Sequence, residues 1–362
     1  MSWLPILSAA VAAAIASAIG APMVSRLALV LGVVDRPSER KVNKRPDIPL
    51  MGGVAVALGL LVGLAVALLM VAEDSVSAPR IEGLLVGSLM VLALGMADDR
   101  FGVGAWGKLL VQVAAAAVAI QAGYSIDHFT DPISRTVYTL PPWLTWLVTT
   151  GWIVIVTNSV NLIDGLDGLC TGVSAIIAST LVVIAWQGGF APGVLLGAAL
   201  VGALLGFLPY NFPPARMFLG DTGALFIGYV LAIMALEGYG KITLITFLVP
   251  LLALAVPLLD TLLSIVRRLR RRTHIMQADK MHLHHRLLRE YDGSQRQAVL
   301  SIYFLTGCFC LIAVSFTRLE GYAVIVFLVM VGLLTLRIVR NLGILDSPET
   351  EEQVRSAKGG TS

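Results

Sequence analysis

The chain has 362 residues, of which 57% are hydrophobic and only 14% are charged, and its formal net charge is +3. A soluble domain ordinarily carries about 25% charged residues, so this composition excludes an ordinary soluble protein and indicates one that is embedded in lipid. The three cysteines, Cys170, Cys308 and Cys310, lie in or beside apolar segments and have the spacing of neither a disulfide framework nor a zinc site.

Eleven apolar segments are candidates for membrane-spanning helices, which need about 20 mostly apolar residues. The first segment lacks the basic start of a signal peptide, so we expect it to be retained as a helix. We predict an all-α integral membrane protein with one membrane domain over residues 1–346 and a disordered polar tail over residues 347–362. The segments lie near residues 4–33, 50–72, 82–97, 107–124, 145–160, 170–187, 193–209, 218–236, 242–265, 298–316 and 320–340.

The distribution of basic residues predicts the orientation of these segments. Of the 26 Lys and Arg residues, 21 lie in the loops that follow odd-numbered segments or in the C-terminal tail. Four lie on the opposite side, and Arg26 lies within the first segment. Because Lys and Arg favour the cytoplasmic side, we expect the N-terminus outside and the C-terminus in the cytoplasm.

Four groups of polar residues follow odd-numbered segments, so they are all predicted to lie on the cytoplasmic side. Charged and amide groups at a membrane edge are costly to desolvate unless a partner, a metal ion or a ligand compensates them. The four groups therefore indicate one shared site. In chain order they are Asp98 and Asp99; Asn161, Asp164 and Asp167 within residues 158–169; Arg216, Phe218 and Asp221; and His282, His284 and His285.

Residues from two of these groups, and the nearby Lys108, also have a purely structural interpretation. Asp98 and Asp99 form either a Mg²⁺-linked or proton-accepting pair, or a solvated helix end with Asp99 paired to Arg100. Lys108 either binds a phosphate or extends towards the interface as an ordinary lysine does. Asp221 either belongs to the site or caps the eighth segment as an N-cap.

The two remaining groups leave further alternatives open. The amide of Asn161 and the nearby carboxylates offer the hard oxygen ligands that Mg²⁺ prefers, while an Asx-type turn would explain one of the aspartates. The three histidines fit a zinc site, a pocket for a polyanion or sugar, or a basic loop that is attracted to anionic lipid. Asp260 lies inside the ninth segment and stays unassigned.

These motifs, in this order, resemble the polyprenyl-phosphate N-acetylhexosamine-1-phosphate transferases of glycosyltransferase family 4. The likeness is greatest to the bacterial branch that transfers GlcNAc-1-phosphate to undecaprenyl phosphate, and it extends from about Asp35 to Arg286. The motifs that carry it are Asp35-Arg-Pro with Arg40-Lys41, Pro49 and Gly52-Gly53; the aspartate pair; NxxNxxDGxDGL; GDxG; and DxxHxHH. Asn43, where a histidine is usual, and Gly102, where many members have a third acid, depart from the pattern.

The resemblance implies a role for each group. Asn161 and Asp221 would hold Mg²⁺, with Mn²⁺ as the alternative, and Lys108 would contact a phosphate. Asp167 would hydrogen-bond uracil while Phe218 stacks on it. Independently of the resemblance, Arg216 is a candidate phosphate partner because it lies five residues before Asp221. Asp98 and Asp99 would lie near the attacking lipid phosphate, and His282, His284 and His285 would close over the sugar. Asp164 is the least defined of these residues, since it either contacts the water shell of the metal or only fixes the turn.

The expected reaction is transfer of a sugar-1-phosphate from a UDP-sugar to undecaprenyl phosphate with release of UMP, which initiates a cell-surface glycan such as O-antigen or teichoic acid. Direct attack by the lipid phosphate is preferred over a covalent aspartate intermediate, because a phosphate monoester is mostly ionised at neutral pH. The expected location is the bacterial cytoplasmic membrane; no nucleic-acid partner is expected, and a homodimer is left open. The alternatives are another UDP-N-acetylhexosamine or UDP-MurNAc-pentapeptide as donor, a cation or metabolite transporter, and a zinc hydrolase.

Overall fold

A computed structural model describes residues 2–35, 47–71, 78–130, 136–237, 244–270 and 282–317, together with six residues between 326 and 337. Asn43 and the tail over residues 347–362 lie outside these ranges, as does most of the eleventh predicted segment. Within the described residues the chain forms twelve helices. They are α1 (Trp3–Val30), α2 (Gly52–Leu69), α3 (Ala78–Phe101), α4 (Ala105–Gln121), α5 (Pro142–Leu162), α6 (Leu169–Gln187), α7 (Ala191–Asn211), α8 (Gly220–Glu237), α9 (Leu244–Ala253), α10 (Ala255–Arg270), α11 (Leu283–Glu290) and α12 (Gln295–Phe316).

The helices have the composition of membrane helices, because most of them are apolar on every side. Seven described helices are long and apolar enough to cross a membrane, namely α1, α2, α3, α5, α6, α7 and α12, and the shorter α4 and α8 are also apolar. Two short antiparallel strand pairs join them: β1 (Val34–Asp35) with β2 (Ile48–Pro49), and β3 (His128–Thr130) with β4 (Val137–Thr139). The chain is therefore an all-α membrane protein with minor strand pairs in its loops.

The ninth predicted segment is two helices, α9 and α10, rather than one. Pro257 lacks the backbone N–H that would donate to the carbonyl of Ala253 four residues earlier. The thiol of Cys310 in α12 instead donates to that carbonyl, with the sulfur 3.8 Å from the oxygen. The break at Leu254 thus follows from the proline and is supported by a neighbouring helix.

Small residues let the helices approach one another closely. α1 packs against α2 and α7, and α8 packs against α3 and α5. A Cβ at Gly202 or Gly206 of α7 would lie 2.1 or 2.2 Å from a carbonyl oxygen of α1, so the two backbones touch. Close backbone contact of this kind is how helices associate in lipid, where the hydrophobic effect between helices is weak.

Candidate active site

A cavity of about 540 Å³ lies where the chain leaves α5 and enters α8. Polar side chains from separate parts of the chain face it, together with backbone and apolar groups. The lining residues are Asp35, Leu50, Asp99, Asp164, Gly165, Leu166, Asp167, Asn211, Phe218, Leu219, Gly220, Asp221, His285 and Gln295. Three of the four predicted groups contribute to the cavity through Asp99, Asp164, Asp167, Phe218 and Asp221, and the histidine group contributes through His285.

Lys108 joins two of the predicted groups beside this cavity. Its ammonium forms an ion pair with Asp98 and donates to Asp221 Oδ2 at 2.9 Å. Asp98 Oδ1 also accepts the backbone N–H of Val103 at 2.6 Å, which fixes the end of α3. The lysine therefore neutralises carboxylates from two helices at the edge of the cavity.

Asp99 supplies the N-terminal cap of α8. Its Oδ1 accepts the N–H of Asp221 at 2.8 Å, and its Oδ2 accepts the N–H of Thr222 at 3.2 Å and the hydroxyl of Thr222 at 2.5 Å. These amides are among the orphan donors at a helix start, and a carboxylate there is favourable. Since Asp99 caps α8, the carboxylate of Asp221 is left to face Lys108 and the cavity, which answers the N-cap alternative.

The first-loop glycines hold the Phe218 segment in place. The N–H of Gly52 donates to the carbonyl of Phe218, and the N–H of Gly53 donates to that of Leu219, both at 3.0 Å. Phe218 in turn donates its N–H to the carbonyl of Pro49 at 2.9 Å. Two elements far apart in sequence are thus locked together, and the ring of Phe218 is presented to the cavity.

The turn between α5 and α6 carries three of the predicted polar residues. Asp167 is buried, and its Oδ2 accepts the N–H of Ala215 at 2.9 Å. Burial, followed by the negative charges of Asp221, Asp99 and Asp167, raises the pKa of the Asp164 carboxyl well above its ordinary value. Asn161 is outside the cavity lining, and its buried Oδ1 has no hydrogen-bond partner among the residues that the structure describes.

The three histidines have different surroundings. His285 lines the cavity, whereas His284 is buried behind the turn, its ring packed on Gly165. A Cβ added at Gly165 would lie 2.2 Å from His284 Nε2, so only glycine allows this contact. His282 is buried and bonded to Asp260. Burial, and then the charge of His285, lowers the pKa of His284 from 6.5 to about 3, so this ring is neutral at physiological pH.

Arg216, a predicted site residue, lies outside the cavity lining, and three polar residues that line the cavity were not predicted as site residues. The side chain of Arg216 is exposed, and it is not among the groups that line the cavity. Asn211 and Gln295 line the cavity but were not predicted, and Asp35 was quoted only within a motif. Asn211 could have been noticed as a polar residue ending an apolar segment, whereas Gln295 comes from α12 and has no local signal.

The oxygen donors fit a divalent cation. Asn161 offers a buried oxygen that no other described residue hydrogen-bonds, and Asp164 and Asp221 are acidic side chains within a cluster of negative charge. In the part of the chain that the structure describes, no three His, Cys, Asp or Glu side chains are grouped as a metal site. Mg²⁺ suits such an incomplete set, because it keeps several waters and takes ligands from substrate phosphates.

Comparison with known proteins decides the family. Residues 81–239 match the sequence profile described as Glycosyl transferase family 4. The chain is 38% identical over 294 residues to a probable undecaprenyl-phosphate N-acetylglucosaminyl 1-phosphate transferase of Bacillus subtilis, covering 81% of this chain and 80% of the relative. The chain belongs to glycosyl transferase family 4.

Further relatives are similar as well. A decaprenyl-phosphate N-acetylglucosaminephosphotransferase of Mycolicibacterium smegmatis is 36% identical over 304 residues, with 78% of this chain and 74% of the relative covered. A phospho-N-acetylmuramoyl-pentapeptide-transferase of Shouchella clausii is 31% identical over 212 residues, with 54% and 62% covered. The matched range of the family profile contains every predicted site residue except the three histidines. These relatives are phosphotransferases, and the resemblance stated from the motifs is confirmed.

Proposed function

We propose that the chain transfers GlcNAc-1-phosphate from UDP-GlcNAc to undecaprenyl phosphate and releases UMP. The observation that carries this proposal is the cavity, where residues from the turn before α6, the start of α8 and the histidine segment meet beside the Lys108–Asp221 pair. The names of the Bacillus subtilis and Mycolicibacterium smegmatis relatives support GlcNAc as the sugar.

In the proposed reaction an oxygen of the lipid phosphate attacks the β-phosphorus of the donor. A new P–O bond forms to the lipid phosphate, and the bond between the β-phosphorus and the bridging oxygen breaks, so that UMP leaves with that oxygen. Both reactants are anionic, and their repulsion has to be offset before they can approach. Lys108 offers one cation, and positioning of the two phosphates supplies the rest of the rate enhancement.

Mg²⁺ is part of the proposal, held by Asn161 and Asp221, whose amide and carboxylate oxygens are the kind of ligand that Mg²⁺ prefers. When bound it would neutralise charge on the diphosphate of the donor. The chain's own residues bind and orient the substrates: Asp167 and Phe218 line the cavity where a uracil would bind, Asp98 and Asp99 lie on the side of the lipid phosphate, and His285 faces the sugar.

The proposed setting is the bacterial cytoplasmic membrane, with eleven crossings, the N-terminus outside and the cavity on the cytoplasmic side. The 21 basic residues on that side support this orientation. A site at the cytoplasmic edge meets both substrates, because the nucleotide sugar comes from water and the isoprenoid tail stays between helices in lipid.

The decisive experiment uses purified protein, undecaprenyl phosphate and Mg²⁺ with a panel of donors, and measures UMP. The panel is UDP-GlcNAc, UDP-GalNAc, a UDP-deoxy-N-acetylhexosamine and UDP-MurNAc-pentapeptide. We expect UDP-GlcNAc to give the highest kcat/KM. Absence of UMP from every donor would overturn the proposal, and UMP released without lipid acceptor would replace direct attack by a covalent intermediate.

Asp221→Asn tests the site within the same assay. The variant keeps the volume of the side chain but removes the charge that pairs with Lys108, so we expect kcat to fall by about 100-fold or more. Asp127→Asn is the matched control, because Asp127 is an exposed carboxylate that pairs with His128 away from the cavity. Near-normal activity of Asp221→Asn at saturating Mg²⁺ would remove Asp221 from the metal site.

A further inference from the structure

Asp260 is an ionisable residue within the apolar part of the chain that takes no part in lining the cavity. It lies in α10 and is only 4% exposed. Its Oδ2 lies 2.8 Å from His282 Nδ1, and its Oδ1 accepts the backbone N–H of Leu283 at 2.9 Å. Both oxygens of this buried carboxylate therefore bond to two successive residues at the start of α11.

The two bonds fix the histidine segment in both position and orientation. A buried carboxylate is costly unless hydrogen bonds or a charge compensate it, so its partners are held firmly. The bond to Leu283 satisfies an orphan amide at the start of α11. The bond to Nδ1 fixes the ring plane of His282 and, in the neutral ring, places the proton on Nδ1.

From His282 the contacts continue to the cavity. The ring of His282 stacks on that of His284, with centroids 5.6 Å apart and planes 3° apart, and the ring of His284 lies 4.3 Å from that of His285. His284 rests on Gly165 in the turn, and both Gly165 and His285 line the cavity. Asp260 is thus connected to the cavity through packed rings while remaining outside it.

We propose that Asp260 is a positioning residue for the transferase reaction and acts through His282. The carboxylate and the ring set where α11 begins, and thereby place His285 at the cavity and His284 against the turn. His282 in this arrangement is a link between α10 and the site rather than a group that touches the donor. The inference rests on the proposed function, because it assigns His285 to the sugar side of that reaction.

The test compares catalysis with binding of UMP alone. Asp260→Ala removes both bonds, and we expect kcat/KM for UDP-GlcNAc to fall by about 10- to 100-fold, the loss typical of a misplacement near 1 Å. The Kd of UMP should stay within about twofold, since Asp167 and Phe218 belong to other elements. Thr261→Val is the matched control, because the Thr261 hydroxyl donates to the carbonyl of Pro257 within α10.

Two further comparisons separate positioning from general damage. Asp260→Asn keeps the volume and one oxygen acceptor, so it should fold and show a smaller loss than Asp260→Ala. His282→Asn places an amide N–H where Nδ1 is and should retain more activity than His282→Ala. If Asp260 acts through His282, the double variant Asp260→Ala with His282→Ala should keep about the kcat/KM of the less active single variant.

Different results would contradict the role of Asp260 and the proposed function. Normal activity of Asp260→Ala and Asp260→Asn, multiplicative losses in the double variant, or an equal fall in UMP affinity would each overturn the inference. If the wild type releases no UMP from any donor, the proposed function fails instead. In that case the coupling between Asp260 and His282 is measured from the melting temperatures of the two single variants and the double variant, which require no turnover. Shifts of the melting temperature that add in the double variant would overturn the inference.

Discussion

At the scale of single residues, Lys108 neutralises the negative charge of two carboxylates at the edge of the cavity. It pairs with Asp98 and Asp221 at once, so it competes with any cation for the carboxylate of Asp221. Lys108→Gln should therefore lower the Mg²⁺ concentration at half-maximal activity by roughly tenfold, the order expected when a unit charge about 4 Å away is removed.

The same substitution should reduce kcat/KM at saturating Mg²⁺, since a phosphate loses its cationic partner. The measurement is a Mg²⁺ titration of UMP release, with Lys108→Arg as the charge-conserving control. A half-saturating Mg²⁺ concentration that stays constant or rises would show that Lys108 and the metal do not share Asp221.

His284 gives a pH dependence of stability whose sign follows from its burial. Its pKa is about 3 in the folded chain and about 6.5 in an unfolded one, where no burial applies. Between these values the unfolded state binds more protons, so stability is full above pH 6.5 and is lost as the pH falls. His285 and His282 oppose protonation of His284 and Asp260 favours it, and burial outweighs the latter.

We expect this loss to reach about 2 kcal/mol between pH 6.5 and pH 5. Melting temperatures of the wild type and of His284→Gln, measured across this range, isolate the contribution of the ring. The wild type should lose more than the variant, whose amide does not titrate. Parallel pH profiles for the two proteins would contradict a neutral, buried His284.

At the scale of elements, the contact between α11 and the turn before α6 depends on the absence of a side chain at Gly165. Gly165→Ala would place a methyl group 2.2 Å from His284 Nε2 and displace α11 from the turn. We expect kcat/KM for UDP-GlcNAc to fall about tenfold or more while the protein remains folded.

Gly151→Ala is the control for Gly165→Ala, because a Cβ at Gly151 of α5 meets nothing within 4 Å. Alanine is also the better helix former, by about 1 kcal/mol. This control should retain activity and melt at the same or a higher temperature. Full activity of Gly165→Ala would show that the position of His284 does not matter to turnover.

The helices also show how much of the fold could be predicted from the sequence alone. Ten of the eleven predicted segments have a helical counterpart in the described residues, because long apolar segments are the strongest signal that a chain carries. The break at Leu254 was missed although Pro257 is a local signal for it, because the segment is apolar on both sides of the proline. The Asp99 cap of α8 and the Asp260–His282 pair were missed for a different reason: each joins residues far apart in the chain, and hydrophobic periodicity reports only on neighbours.

The site residues show the same limit: motifs identify many of them, but tertiary packing decides which side chains reach the cavity. Motifs identified Asp99, Asp164, Asp167, Phe218, Asp221 and His285, all of which line the cavity. They could not distinguish His285 from His282 and His284, because adjacent positions in one motif have the same chemistry until burial separates them. Gln295 has no motif around it and is brought to the cavity only by the packing of α12.

At the scale of the whole molecule, the excess of basic residues on one side predicts which face meets the cytoplasm. In the predicted topology the cavity and the turn between α11 and α12 are expected on that side, and the β3–β4 pair is expected on the other. Asp292, in the α11–α12 turn, and Asp127, beside β3, are both exposed, so a cysteine at either position is accessible to reagent from its own side.

We expect Asp127→Cys to react with a membrane-impermeant maleimide in intact cells and Asp292→Cys to react only after permeabilisation. The wild type is the background control, because Cys170 and Cys310 are buried and Cys308 is half-buried. The reverse pattern would place the cavity outside, where no cytoplasmic nucleotide sugar could reach it. Labelling of both cysteines in intact cells would instead contradict the odd number of crossings between β3 and the α11–α12 turn, and with it the eleven-crossing topology that sets Lys108 and the histidines on one face.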